Sequence, residues 1–215
     1  MSKVRVHNFS ISLDGFGTGE GLSAEAPFGH AARRLHEWMF ATRFGHAMFG
    51  KEGGSEGVDQ SFAMKTDVGI GAEIMGAGKF GPPGWHEDAN FKGWWGPKPP
   101  FGTPVFVLTR HVRPSIEMEG GTTFHFINES PQDALSLARE AAGGLDVRIG
   151  GGPTTLRSFL EADLVDLLHV VQVPILLGRG VRLWDGLEGI ESRFDREAVS
   201  SPSGVTHITF NRRSE

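Results

Sequence analysis

The sequence predicts an α/β sandwich in which helices flank a central, mostly parallel sheet and the last strands turn antiparallel. Three observations carry this reading. The first is Asp146-Val147-Arg148-Ile149-Gly150-Gly151-Gly152-Pro153, a short β-branched strand, three glycines and a proline that opens an amphipathic run through Leu156, Phe159 and Leu160. The second is the alternation of apolar strand-like runs with helical runs from Pro104 onward, which parallel sheets with crossover helices produce. The third is a pair of strand-like runs, residues 194–200 and 205–211, separated by the turn Ser201-Pro202-Ser203-Gly204, the signature of an antiparallel closing pair.

Composition narrows the function classes. At 215 residues the chain has the size of one domain with a substantial core. We read residues 1–215 as that domain, with a glycine-, proline- and tryptophan-rich insertion at about 81–102. The net charge is −5 with no basic block, which argues against nucleic acid as partner. No apolar run has the length of a membrane span, and the N-terminus lacks the apolar core of a signal peptide. The chain has no cysteine, so disulfides, thiol nucleophiles and cysteine-ligated zinc are excluded. A cytoplasmic protein is expected.

Taken in order, residues 3–12 (KVRVHNFSIS) form a first strand that ends in the turn Ser12-Leu13-Asp14-Gly15. A glycine-rich loop follows, and residues 30–43 then set Ala31, Leu35, Trp38 and Met39 near helical spacing. Residues 59–68 read as a second helix, and residues 72–76 (AEIMG) as a short buried strand ending at glycine. The 81–102 stretch carries Trp85, Trp94 and Trp95; these either roof a flat ring or fasten the loop to its own domain or a second subunit. Residues 104–109 (PVFVLT) and 122–127 (TTFHFI) are strands. Ser130-Pro131-Gln132-Asp133 opens a helix with a serine cap, a proline in the first turn and an early acid. Beyond the glycine turn, a helix covers residues 153–162, and residues 164–177 form an apolar core strand running into Gly178-Arg179-Gly180.

A strand, a glycine turn and a helix start let backbone approach an anion, since glycine removes Cβ and the first helical N–H groups are free. Neither the G-x-G-x-x-G nor the G-x-x-x-x-G-K-[ST] pattern is met, so a tight turn without ligand stays open from these residues alone. The set of motifs in order is more specific. Ser12-Leu13-Asp14-Gly15, Ile74-Met75-Gly76, Val107-Leu108-Thr109-Arg110, Ile149-Gly150-Gly151-Gly152 and finally Val173-Pro174-Ile175-Leu176-Leu177-Gly178-Arg179-Gly180-Val181-Arg182-Leu183-Trp184 resemble the dihydrofolate reductase superfamily. The resemblance is nearer to its riboflavin-biosynthesis reductase (RibD C-terminal-like) branch.

That resemblance implies a three-layer dihydrofolate reductase-like sandwich with NADPH lying across the strand ends. It implies that Gly150, Gly151 and Gly152 pack against the pyrophosphate and nicotinamide ribose. Thr154 and Thr155 would donate to phosphate, Gly76 would belong to the same cofactor-binding set, and Thr109 and Arg110 would hold the adenosine 2′-phosphate. Asp14 would lie beside nicotinamide and substrate, as a hydrogen-bonding or proton-relaying carboxylate; ordinary Asp-Gly turn chemistry is the alternative. The implied activity is reduction of a small heterocyclic or carbonyl substrate by a homodimer, the alternative being a non-catalytic NADP(H)-binding sensor or interaction module. Three departures stand out. Ala77 replaces an arginine that follows Met-Gly in many relatives, with Lys79 as a substitute. Glu37 is the one carboxylate in residues 30–43 that could serve as the acid of folate reduction. The zinc-binding deaminase domain that often precedes the riboflavin enzyme has no counterpart in the sequence.

Overall fold

The computed structural model describes residues 2–214. In chain order these form β1 (Val4–Ser12), β2 (Phe16–Thr18), α1 (Glu37–Phe40), α2 (Arg43–Met48), α3 (Val58–Ala63), β3 (Ile70–Gly76), α4 (Ala77–Phe80) and β4 (Pro104–Leu108). Next come β5 (Ile116–Glu117), β6 (Thr123–Ile127), α5 (Pro131–Ala141), β7 (Asp146–Gly151), α6 (Pro153–Glu161), β8 (Leu167–Val173), β9 (Val181–Arg182), β10 (Phe194–Ser200) and β11 (Thr206–Arg212).

One sheet runs β10-β11-β8-β1-β7-β3-β4-β6-β5. Strands β8, β1, β7, β3, β4 and β6 are mutually parallel, whereas β11, β10 and β5 are antiparallel to their neighbours. This is the mostly parallel sheet with antiparallel C-terminal strands that the alternation implied. The parallel strands are largely apolar on both faces because both faces are covered. On one face Ile74, Ile149 and Phe106 meet Leu135 of α5 and Leu156 and Phe159 of α6. On the other, Val171 and Val173 meet Leu35, Trp38 and Ala63, and farther along Met75, Val105 and Val107 meet Phe80, Trp85, Phe124 and Phe126. Burying one such phenylalanine contributes roughly 1.5–3 kcal/mol.

The tryptophan-rich stretch is part of that second face. Trp85 meets Phe80 edge-on at 4.9 Å, and Trp95 stacks on Phe124 at 5.9 Å. The Arg113 guanidinium lies 4.4 Å from the Phe126 ring and 4.9 Å from Trp85, and it donates to the Phe91 carbonyl at 2.6 Å. Trp85 is thus a core residue and half-buried Trp95 packs against the same cluster, so for these two the structure shows packing onto the chain's own sheet.

Local chemistry redraws several elements. The continuous helix expected over residues 30–43 is instead a 3-10 turn at Gly29–Ala31, then α1, then a fresh start at α2. Thr42 causes the break: its hydroxyl donates to the Met39 carbonyl at 2.6 Å and accepts the Gly45 N–H at 3.0 Å, capping α2. The helix expected over residues 59–68 stops at Ala63, where the Thr66 hydroxyl takes the Ala63 carbonyl at 2.8 Å. The strand expected over residues 164–177 is confined to β8, since Asp163 has φ 59° and the chain enters only after that turn.

β1 carries an irregularity that matters for the site. Its register with β8 shifts between Val6 and Phe9, and Asn8 has φ 57°. The Asn8 N–H donates to His169 Nδ1 at 3.1 Å, so the proton of His169 sits on Nε2, which donates to His207 Nδ1 at 3.0 Å. His207 Nε2 then donates to the Asp59 carboxylate at 2.8 Å. Phe62 stacks across both imidazoles at 4.6 and 4.2 Å. This buried chain joins α3, β11 and β8 to the bulge, and the bulge turns the Phe9 ring toward Gly17 and Gly151.

Candidate nucleotide site at the strand ends

Parallel strands end on a common edge, and in open α/β sheets ligands bind in the crevice beyond those ends. Here the edge presents, in spatial order, Asp14 after β1, Gly150–Gly152 at the end of β7, Gly76 on β3, Thr109 and Arg110 after β4, and Asn128 and Glu129 after β6. Adjacent strands are about 4.8 Å apart, so the row is long enough for an extended ligand.

The three consecutive glycines have three different reasons. At Gly150 a Cβ would overlap the Glu73 carboxylate and come within 2.5 Å of Lys79 Nζ. Gly151 has φ +106°, and a Cβ there would sit 3.3 Å from the Phe9 ring; its peptide bond to Gly152 is cis. Gly152 has φ −82°, which any residue adopts, and a Cβ there would meet nothing within 4 Å. Only at Gly152, then, does the missing side chain leave space free for something outside the protein. Pro153 starts α6 directly after it, with Thr154 exposed and Thr155 half-buried in the first turn. Gly76 packs beneath that turn, where a Cβ would strike the Thr155 hydroxyl.

Beneath the turn lies a charge cluster that sequence reasoning missed. Glu73 and Arg148 are register partners on β3 and β7, 1% and 7% exposed. Arg148 Nε donates to Glu73 Oε2 at 2.7 Å, and its Nη1 reaches Asp67 at 2.6 Å and the Thr66 carbonyl at 3.1 Å. Lys79 Nζ donates to Glu73 Oε1 at 2.7 Å. Burial by itself would raise the Glu73 carboxyl; Arg148 and then Lys79 outweigh it and hold it below the usual carboxylate range. Burial lowers Lys79 in spite of Glu73. Lys79 is therefore turned onto Glu73, and does not take the place of the arginine absent at Ala77. The available signal was a glutamate and an arginine each set inside an apolar strand, where an unpaired charge is not tolerated.

Asp14 is held by the chain itself. Its carboxylate accepts from the Ser12 hydroxyl at 2.6 Å, from Gly178 N–H at 2.7 Å and from Leu177 N–H at 3.1 Å. Desolvation would raise it, but these hydrogen bonds bring it down to about 2. Asp14 is thus an ionised latch joining the end of β1 to the segment after β8. Glu37 is exposed. His36, one residue before it, lies between Phe28 at 4.9 Å and Phe40 at 6.1 Å; burial, with Lys79 behind it, lowers it to about 4.

Beyond Gly76 the edge opens into a cavity of about 410 Å³ lined by Ala77, Leu108, Thr109, Arg110, His111 and, from β6, Ile127, Asn128 and Glu129. Thr109 is fixed twice, its N–H donating to the Ile127 carbonyl at 2.8 Å and its hydroxyl accepting from His111 N–H at 3.0 Å. Arg110 is exposed at the mouth. The expected residues therefore fall into two groups, the glycine turn with Gly76, Thr154 and Thr155, and the cavity with Thr109 and Arg110. Gly76 and Ala77 on β3 link them. Asp14 stands apart, at the β1 end.

A doubly covered, mostly parallel sheet, with a glycine turn and a cavity carrying Arg110 and Glu129 at its strand ends, defines an α/β domain with a candidate ligand site along one edge. The chain belongs to the RibD C-terminal domain family, whose model matches residues 89–204. That match includes the glycine turn and the cavity residues from Leu108 to Glu129; Asp14, Gly76 and Ala77 lie outside it. No curated protein matches the chain. Among solved structures, a putative riboflavin biosynthesis protein from Shewanella sp. PV-4 superposes with a TM-score of 0.60 at 20% identity, over 100% of both chains. A pyrimidine reductase-like protein from Corynebacterium diphtheriae gives 0.52 at 15% identity, over 100% of this chain and 92% of that one. The Thermotoga maritima diaminohydroxyphosphoribosylaminopyrimidine deaminase/5-amino-6-(5-phosphoribosylamino)uracil reductase gives 0.55 at 13% identity, over 99% of this chain and 57% of that one. At these identities the likeness is one of fold.

Proposed function

We propose that this protein is an NADPH-dependent reductase of a small heterocyclic or carbonyl compound. The observation that carries the reading is the free space over Gly152, in line along the strand ends with the Thr109–Arg110 cavity. A pyrophosphate would lie against Gly152, with the first N–H groups of α6 and the Thr154 and Thr155 hydroxyls as donors. A guanidinium fork suits a phosphate dianion, which gives Arg110 the adenosine 2′-phosphate and Thr109 a supporting hydroxyl. A reduced nicotinamide dinucleotide bound there supplies a hydride. The chain's own part is orientation: Phe9 and Gly151 form the floor of the turn, and ionised Asp14 holds the 175–178 segment beside it. At neutral pH Asp14 is an acceptor toward substrate and positions that segment. The names of the relatives support a substrate of the pyrimidine kind. We read the working form as a cytoplasmic homodimer, with exposed Leu176 and Val199 offering apolar surface near the last strands.

The test uses Gly152→Ala. Because its Cβ meets no atom of the protein, the thermal melt should hardly move, while NADPH affinity measured by calorimetry should fall by at least ~10-fold, about 1.4 kcal/mol. Undiminished affinity in the folded variant would place the nucleotide elsewhere and end the reading. NADPH oxidation by the wild type is then followed against a panel of pyrimidines and carbonyl compounds. Tight binding with no compound reduced would favour the non-catalytic NADP(H)-binding module.

A further inference from the structure

The cavity beyond Gly76 carries two opposed charges. Among the described residues that line it, Arg110 is the one fixed cation and Glu129 the one carboxylate. No ion pair joins them, and neither pairs with another side chain among the described residues. Each is therefore available to a ligand. The two prefer different ligands: a guanidinium fork takes a phosphate, whereas a carboxylate accepts from the hydroxyls of a ribose and repels a phosphate. Three other candidate sources of positive charge near the cavity do not tilt it toward phosphate. Ala77 brings no charge, and Lys79, two residues on, is tied to Glu73. The positive end of α5 begins just after Glu129, but it is answered from within. Ser130 accepts the Asp133 N–H at 3.2 Å and donates to the Asp133 carboxylate at 2.6 Å, which leaves an acid at the helix start.

Resting on the dinucleotide reading above, we propose that Glu129 is a specificity-determining residue: it reads the adenosine ribose hydroxyls and makes this cavity accept NADH alongside NADPH. Arg110 and Glu129 act as a balance, each raising the affinity for one cofactor at the expense of the other. The cavity is wide enough for both outcomes, since about 410 Å³ lies within the range of small-molecule sites.

The experiment measures dissociation constants of four probes, NADPH, NADH, adenosine 2′,5′-bisphosphate and 5′-AMP, for wild type, Glu129→Gln and Arg110→Ala at one fixed salt concentration. Glu129 is exposed, so the glutamine variant should keep the wild-type melt. Glu129→Gln should weaken NADH and tighten NADPH, shifting their affinity ratio by at least ~10-fold, the step of one decade in Kd. The bisphosphate and 5′-AMP should follow the same shift, because they probe the adenosine end alone. Arg110→Ala should move both ratios the other way. If wild type and variant bind both dinucleotides and the ratio shifts by less than that, Glu129 does not read the ribose and the proposal falls, with the dinucleotide reading intact. If neither dinucleotide binds folded wild type, both fall together.

Discussion

Asp14 illustrates how much of a residue's chemistry is assigned by its partners. As a turn aspartate it was a candidate proton relay; in the fold, three hydrogen bonds from Ser12, Gly178 and Leu177 stabilise its charged form. Replacing it with asparagine keeps a good turn residue but puts an amide where the carboxylate accepted backbone donors. We expect Asp14→Asn to lower stability by on the order of 1 kcal/mol, reduced by solvent screening at this half-exposed position. Turnover should fall through displacement of the 175–178 segment, while the pH–rate profile keeps its shape. A lost ionisation limb in the variant would restore the proton-relay role. The linkage has a definite sign. The folded value, about 2, lies below the ordinary 3.8, so this stabilisation is complete above about pH 4 and disappears as the pH falls through 2. Urea titrations of wild type and variant at pH 6 and pH 3 should therefore differ more at the higher pH.

At the level of elements, the decisive join is between β3 and β7, where Glu73 and Arg148 face each other beneath the glycine turn. Removing one partner strands a buried charge, so Glu73→Ala or Arg148→Ala alone should destabilise by about 3–5 kcal/mol, and the pair replaced together by leucine and methionine by distinctly less. A urea-denaturation double-mutant cycle measures this; additive losses would mean that the two side chains act independently. The same join shows which parts of the fold the sequence could disclose. The strand–glycine–helix unit at β7 and the capped start of α5 were legible because their signals are local, a few residues of β-branching, glycine, proline and serine in series. The Glu73–Arg148 pair was not, because its members are 75 residues apart and each alone looks like a misplaced charge. The β2–β9 ribbon was hidden for a different reason, its strands being only two or three residues long. Thr109 and Arg110 could be singled out only through the ordered motifs, and Glu129 not at all, since a lone exposed glutamate after a strand carries no pattern. The interrupted helix near Thr42 shows the converse: apolar spacing was present, and a hydroxyl-and-glycine cap overruled it.

Across the whole molecule, acid should be the sharpest stress. His169, His7 and His36 are lowered from 6.5 to about 2, 3 and 4, burial being the first cause in each. All three are neutral in the folded chain and become protonated on unfolding below about pH 6.5. Stability is then full above that value and declines as the pH falls toward 4, by up to about 1.4 kcal/mol per pH unit for each histidine. Urea titrations between pH 7 and 4.5 should show this slope. His36→Phe, set between Phe28 and Phe40, should reduce it by about one proton's worth, and an unchanged slope would mean that His36 titrates freely in the native state. Because His169 stays neutral in the folded chain over this range, its Nδ1 goes on accepting the Asn8 N–H that holds the β1 bulge.

The three neighbouring glycines also bear on descent. Gly150 is kept by the ion pair beneath it and Gly151 by its backbone angle, and both constraints persist for as long as the fold does. Gly152 has no such contact within the chain; if the proposed dinucleotide lies there, the constraint on it comes from outside. A lineage that abandoned its nucleotide while preserving this architecture would retain the first two glycines and let the third drift. On the proposed reading, an alanine or serine at the Gly152 position among homologues would mark a chain that has given up its nucleotide.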